Sequence, residues 1–90
     1  MSHQSTVTII NKLGLHARAA TRLVQTAGEF EADFFVSKDG KEVNGKSILG
    51  VMMLAAAKGT KITVRCEGDD AESAHLAIVS LINDRFGEAE

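Results

Sequence analysis

The hydrophobic residues of this chain keep changing period, from two to about 3.6 and back, and the order of the changes leaves few folds open. Ser5 to Ile10 alternates, with Val7 and Ile9 on one face and Thr6 and Thr8 on the other, as in a half-buried strand. From Ala17 the spacing becomes helical: Ala20, Leu23, Val24 and Ala27 share one face, and Gly28 follows as a stop. Ala32 to Ser37 predicts a second strand with Phe34 and Val36 inward. Asp39-Gly40 predicts a hairpin turn, and Lys41 to Asn44 a short third strand. Ser47 is placed to cap a second helix running to about Ala57, with Gly59 ending it. Lys61 to Glu67 alternates again, with Ile62, Val64 and Cys66 on one face. Asp69 then begins a third helix, and Glu72 suggests a capping box. Ala71, Ala74, Ile78, Leu81 and Ile82 form that helix's inner face.

The order is βαββαβα. Strands with one polar face need helices on the other face only. We therefore expect an α+β open-faced sandwich, a four-stranded, mostly antiparallel sheet covered on one side by three helices. There is no proline to mark a linker, so residues 1–90 read as one domain. Hydrophobic residues make up 44% and charged residues 24%, which are globular proportions. A net charge of -2 argues against a non-specific grip on nucleic acid, and without Trp or Tyr there is little to stack bases on. The single Cys66 excludes an internal disulfide and a multi-cysteine zinc site. The opening MSHQSTVTII has no signal-peptide pattern, and the apolar run Ile48 to Ala57 is too short to span a bilayer. A cytoplasmic protein without membrane insertion is the expectation.

Gly40-Lys41-Glu42-Val43-Asn44-Gly45-Lys46-Ser47 matches the phosphate-binding loop of nucleotide hydrolases letter for letter. Such a loop must follow a buried parallel strand and open a long helix. Here the same residues fall on a hairpin tip and a short strand, and no later apolar run ends in an Asp placed for magnesium. The nucleotide-enzyme reading is set aside.

The chemistry concentrates in Gly14-Leu15-His16-Ala17-Arg18-Ala19-Ala20. A histidine at the start of a helix faces unpaired backbone N–H groups and the positive end of the macrodipole. That setting disfavours the imidazolium and keeps a lone pair available. A phosphoryl group on His16 would rest on the N–H groups of Ala17 and Arg18, and the Arg18 guanidinium adds a forked clamp. A histidine at a loop-to-helix junction is also often just a polar surface residue. His3, in an expected frayed terminus, and His75, mid-helix with no cationic neighbour, read as structural or solvent-facing. No spacing suggests a metal site.

Gly14-Leu15-His16-Ala17-Arg18 resembles the active-site signature of HPr, the histidine phosphocarrier of the bacterial phosphotransferase system. Gly45-Lys46-Ser47-Ile48-Leu49-Gly50-Val51-Met52 is similar to the family's regulatory serine segment. Length and element order agree, so the resemblance covers essentially the whole chain. One departure is Ala19, where the family usually has proline. The resemblance implies that His16 accepts a phosphoryl group on Nδ1 from phosphorylated enzyme I, charged by phosphoenolpyruvate. It implies delivery to a histidine of an enzyme IIA. The chain is then a stoichiometric carrier, with no cofactor, working as a monomer. An effector-binding α+β module is the alternative, and it would not need His16 with Arg18 at a helix start.

Ser47 has two readings, a helix cap and a phosphorylation site for an HPr-type serine kinase or phosphatase, and both can hold together. The second helix is apolar nearly all round, which a helix in a one-sided layer cannot bury completely. Ile48, Val51, Leu54 and Ala55 are assigned inward. Leu49, Met52 and Met53 are assigned outward beside His16, and with Ala20 they are the expected partner-docking residues. The competing reading is that all of them are core, since Met fills gaps well.

Overall fold

In the computed structural model, which describes residues 1–90, strand β1 spans Ser2–Thr8, helix α1 Ala17–Gly28 and strand β2 Asp33–Lys38. Strand β3 follows at Lys41–Asn44, helix α2 at Ile48–Met52, strand β4 at Lys61–Glu67 and helix α3 at Ala71–Asn83. The four strands form one sheet in the order β1-β4-β2-β3, and every neighbouring pair is antiparallel. The expected open-faced sandwich is the fold. Its core lies between the helices and one face of the sheet, where Phe34, Val36, Ile62, Val64 and Cys66 meet Ala20, Leu23, Ala27, Ala74, Ile78 and Ile82 in one buried cluster. On the opposite face the Arg65 guanidinium lies 4.3 Å over the Phe35 ring and pairs with Glu42 and Glu67.

Several boundaries differ from the sequence reading, each for a tertiary reason. Strand β1 begins at Ser2 because its pairing with β4 runs on to Ser2 opposite Glu67. His3 is therefore a strand residue opposite Cys66 and not part of a frayed end. Helix α2 stops at Met52, well short of Ala57. Ala55 turns into the left-handed region (φ 51°), the Lys38 ammonium binds the Leu54 and Ala55 carbonyls, and the Ala56 carbonyl accepts a bond from Leu15 N–H at 2.9 Å. The segment leaves the helix because its carbonyls are used elsewhere. At α3 the cap position is Asp70, not Asp69, and no side chain caps the helix there. The Asp70 carboxylate instead accepts from the backbone N–H groups of Glu31 and Ala32 at 2.9 and 2.8 Å, tying the loop between α1 and β2 to the start of α3. The capping box expected from Glu72 does not form.

The chain closes on a short turn, Arg85–Gly87, that the periodicity does not reveal. Arg85, Phe86 and Gly87 all have positive φ, at 56°, 54° and 77°. For a bulky residue that conformation costs about 1–2 kcal/mol. Phe86 is fully buried, which returns about 1.5–3 kcal/mol. The Arg22 guanidinium donates to the Phe86 carbonyl and holds the turn against α1.

Candidate functional site

The loop before α1 is shaped by two residues. Gly14 has φ 68°, and a Cβ there would sit 2.5 Å from the Ala56 carbonyl oxygen, so only glycine fits. Asn11 is fully buried, and its amide donates to the Gly14 carbonyl at 2.8 Å. This fixes where the chain enters the helix. His16 is the N-cap residue of α1, with extended backbone (φ -74°, ψ 179°), and its carbonyl accepts the Ala20 N–H at 2.8 Å. The His16 side chain makes no capping bond. The N–H groups of Ala17, Arg18 and Ala19 are thus left at the positive end of a helix of 12 residues, with no acidic side chain in the first turn. A proline at position 19 would lack one of those donors; Ala19 supplies it and is itself buried against the core.

The imidazole is half-buried, and its two nitrogens are in different situations. Nε2 lies 2.5 Å from the Glu88 carboxylate. No protein group bonds Nδ1. Glu88 was not anticipated as part of the site. Its other carboxylate oxygen accepts from the Asn11 amide at 2.9 Å. Burial alone would raise the Glu88 carboxyl, but the bonds from Asn11 and His16 and the charges of His16 and Arg18 hold it below the usual carboxylate range. An ionised carboxylate only accepts hydrogen bonds, so Nε2 is the nitrogen that donates to it, and in the neutral ring the lone pair then sits on Nδ1. Arg18 is exposed and makes no bond within the chain. Its side chain lines an open cleft of about 710 Å³ together with Lys12, Leu13, His16, Ala17, Glu88, Ala89 and Glu90.

Leu49, Met52 and Met53 are exposed, at 70%, 39% and 60%. Ile48 is exposed as well, at 41%, and Ala55 too, so neither faces inward as expected; Val51 and Leu54 do. Ala20 is fully buried and offers no surface to a partner, which corrects its assignment to a docking face. Ser47 is the N-cap of α2, and its hydroxyl accepts from Gly50 N–H at 3.1 Å. The nucleotide-loop look-alike is extended along β3, and its Lys46 ammonium binds the Phe30 carbonyl at 2.8 Å. Burial, then the charge of Asp70, pushes the Cys66 thiol up despite Lys46, so it is no nucleophile. His75 Nε2 bonds the Ser5 hydroxyl at 2.7 Å, and the His3 ring lies 6.1 Å from it; both are structural. No helix is long and apolar enough to cross a membrane.

The fold is a one-sided α+β sandwich with a histidine and an arginine at an uncapped helix start, the arrangement that the resemblance to HPr implies. The comparisons with known proteins agree. Residues 3–84 match the family model described as the PTS HPr component phosphorylation site. The chain is 52% identical to the phosphocarrier protein HPr of Neisseria meningitidis over 87 residues, covering 97% of this chain and 98% of that one. It is 46% identical over 83 residues to the phosphocarrier protein NPr of Shewanella violacea, covering 92% and 91%. Among solved structures, HPr-C-His from Thermoanaerobacter tengcongensis superposes with a TM-score of 0.94 at 46% identity, over 98% of this chain and 99% of that one. The chain belongs to the HPr family.

Proposed function

We propose that residues 1–90 form a single phosphocarrier domain that carries a phosphoryl group on His16 Nδ1. The group is taken from phosphorylated enzyme I, itself charged by phosphoenolpyruvate, and passed to a histidine of an enzyme IIA in the cytoplasm. The protein is a carrier consumed and regenerated in each cycle, acting as a monomer, and not an enzyme with its own substrate. The observation that carries this reading is His16 at the start of α1, lining the cleft, with Nε2 engaged and Nδ1 bonded by no group of the chain. A dianionic phosphoryl group on Nδ1 is favoured by the N–H groups of Ala17 and Arg18 and by the Arg18 guanidinium. Leu49, Met52 and Met53 supply the apolar part of the docking face. Ser47 caps the helix bearing these residues, and its phosphorylation by an HPr-type kinase places a charge of about -2 beside that face.

The test is incubation with phosphoenolpyruvate and enzyme I, followed by intact mass. The chain should gain one phosphate that is lost in acid and kept in alkali, as a phosphoramidate is. His16→Ala should gain none. An acid-labile phosphate on the His16→Ala variant would refute the assignment.

A further inference from the structure

The carboxylate that meets His16 comes from the end of the chain, 72 positions away in sequence, and the fold holds it there from three sides. Phe86, fully buried, anchors the segment two residues earlier. Arg22 fixes the Phe86 carbonyl. Beyond Glu88, the Lys12 N–H binds the Glu90 carbonyl at 2.5 Å. Both Glu88 oxygens are occupied, one by the Asn11 amide and one by Nε2. The Glu88 side chain is only 12% exposed. We propose that Glu88 is a positioning residue for phosphoryl transfer, holding the His16 ring with its proton on Nε2 and offsetting the charge the ring gains when Nδ1 attacks phosphorus. This rests on the phosphocarrier reading of His16.

The Nδ1 lone pair forms the bond to phosphorus while the bond from phosphorus to the donor breaks, its electron pair leaving with the donor. The ring keeps its Nε2 proton and becomes cationic at that moment. A neutral acceptor beside Nε2 would orient the ring equally well, but it would not offset that charge. A charge-assisted bond is roughly twice as strong as a neutral one, so its loss should appear as about a fivefold to tenfold slower transfer. The effect belongs in turnover, because Glu88 acts through His16 and not on the docking partner.

The test uses Glu88→Gln, which keeps an acceptor and nearly the same volume. Two donors are compared. One is phosphorylated enzyme I. The other is potassium phosphoramidate, which needs no partner protein: Nδ1 displaces ammonia from phosphorus. The variant should react about fivefold to tenfold more slowly with both donors, at unchanged KM for the carrier with enzyme I. In the unmodified protein, nitrogen NMR of the ring should show the proton on Nε2, as a resonance sheltered from exchange by the carboxylate. In the variant it should exchange faster, with the melting temperature unmoved. Wild-type rates with phosphoramidate for Glu88→Gln would overturn the proposal and leave the carrier reading intact. A change confined to KM would also overturn it, by assigning Glu88 to docking. If His16 reacts with phosphoramidate, Glu88-dependently, but never with enzyme I, the relay reading fails and the positioning role stands. If His16 of the unmodified chain reacts with neither donor, both fail.

Discussion

Replacing Gly14 by alanine tests how the site is held. The added Cβ would lie 2.5 Å from the Ala56 carbonyl oxygen and 2.9 Å from the Ala57 Cα, and both obstacles are backbone. Neither can swing aside as a side-chain tip would. Alanine at φ 68° also carries a conformational penalty of about 1–2 kcal/mol. Relieving the clash adds about 1–3 kcal/mol, the usual range for overpacking. A total of about 2–5 kcal/mol, at about 4–8 °C per kcal/mol for a domain of this size, lowers the melting temperature by about 10 °C or more. The same strain pushes the loop off Ala56, where Leu15 N–H is bonded at 2.9 Å, and so shifts His16. Gly28→Ala is the matched control. It has nothing within 4 Å of its Cβ and no positive φ, so alanine should stabilise the end of α1 by about 0.5–1 kcal/mol. Thermal melts followed by circular dichroism, with enzyme I kinetics on the same samples, give both readouts. If Gly14→Ala melts within about 3 °C of the unmodified protein, close packing against residues 56 and 57 is not what the glycine is for.

Leu49→Glu should weaken binding to enzyme I by tenfold or more (about 1.4 kcal/mol) with little change in melting temperature, because the side chain is 70% exposed; a large stability loss would show it to be core. Ser47→Asp should raise the KM of the carrier for enzyme I more than it lowers turnover, and Ser47→Ala should transfer normally while losing about 0.5–2 kcal/mol of stability with its cap. Equal kinetics for unmodified, Asp and authentic phosphoserine proteins would leave Ser47 as a cap alone. Asp70 is held below its ordinary 3.8, first by the Glu31 N–H bond and, against the burial that raises it, by Ala32 N–H, its own N–H and Lys46. Its contribution is therefore full above the unfolded value and is lost as pH falls through the lower folded value. Urea midpoints should converge for Asp70→Asn and the unmodified protein in acid and separate near neutral pH; a constant gap across that range would contradict the linkage.

What the sequence carried and what it hid divide along a physical line. Periodicity located every strand and helix, because each places one face in the same buried cluster or, for β1 and β3 through Val7 and Val43, packs against it. It misplaced ends, because ends are decided by partners far along the chain. Nothing near Ala55 says that the Ala56 carbonyl will be needed by Leu15. Nothing near Asp70 says that its carboxylate will serve Glu31 and Ala32 in place of its own helix. Helical spacing puts Ile48 on the side of Val51, yet at the first position of α2 it stays 41% exposed while Val51 and Leu54 are buried.

The same line runs through the site. His16 and Arg18 were visible because a helix start is a local event, set by a glycine, a change of period and the residues that follow. Glu88 and Asn11 were not, since their link spans 77 positions and no local pattern pairs them. Yet one signal was present: Phe86, an aromatic residue beyond the last helical period, followed by Gly87. A large apolar side chain in a tail needs burial, and a glycine after it permits the turn that burial requires. Burying Phe86 brings the acidic residues after it back over the molecule, where Glu88 and Glu90 line one cleft with Lys12, His16 and Arg18. The His16 imidazole is thus framed by two segments of the chain with different logic. One offers donors to an anion through helix geometry, and the other offers an anion to the ring through a buried phenylalanine.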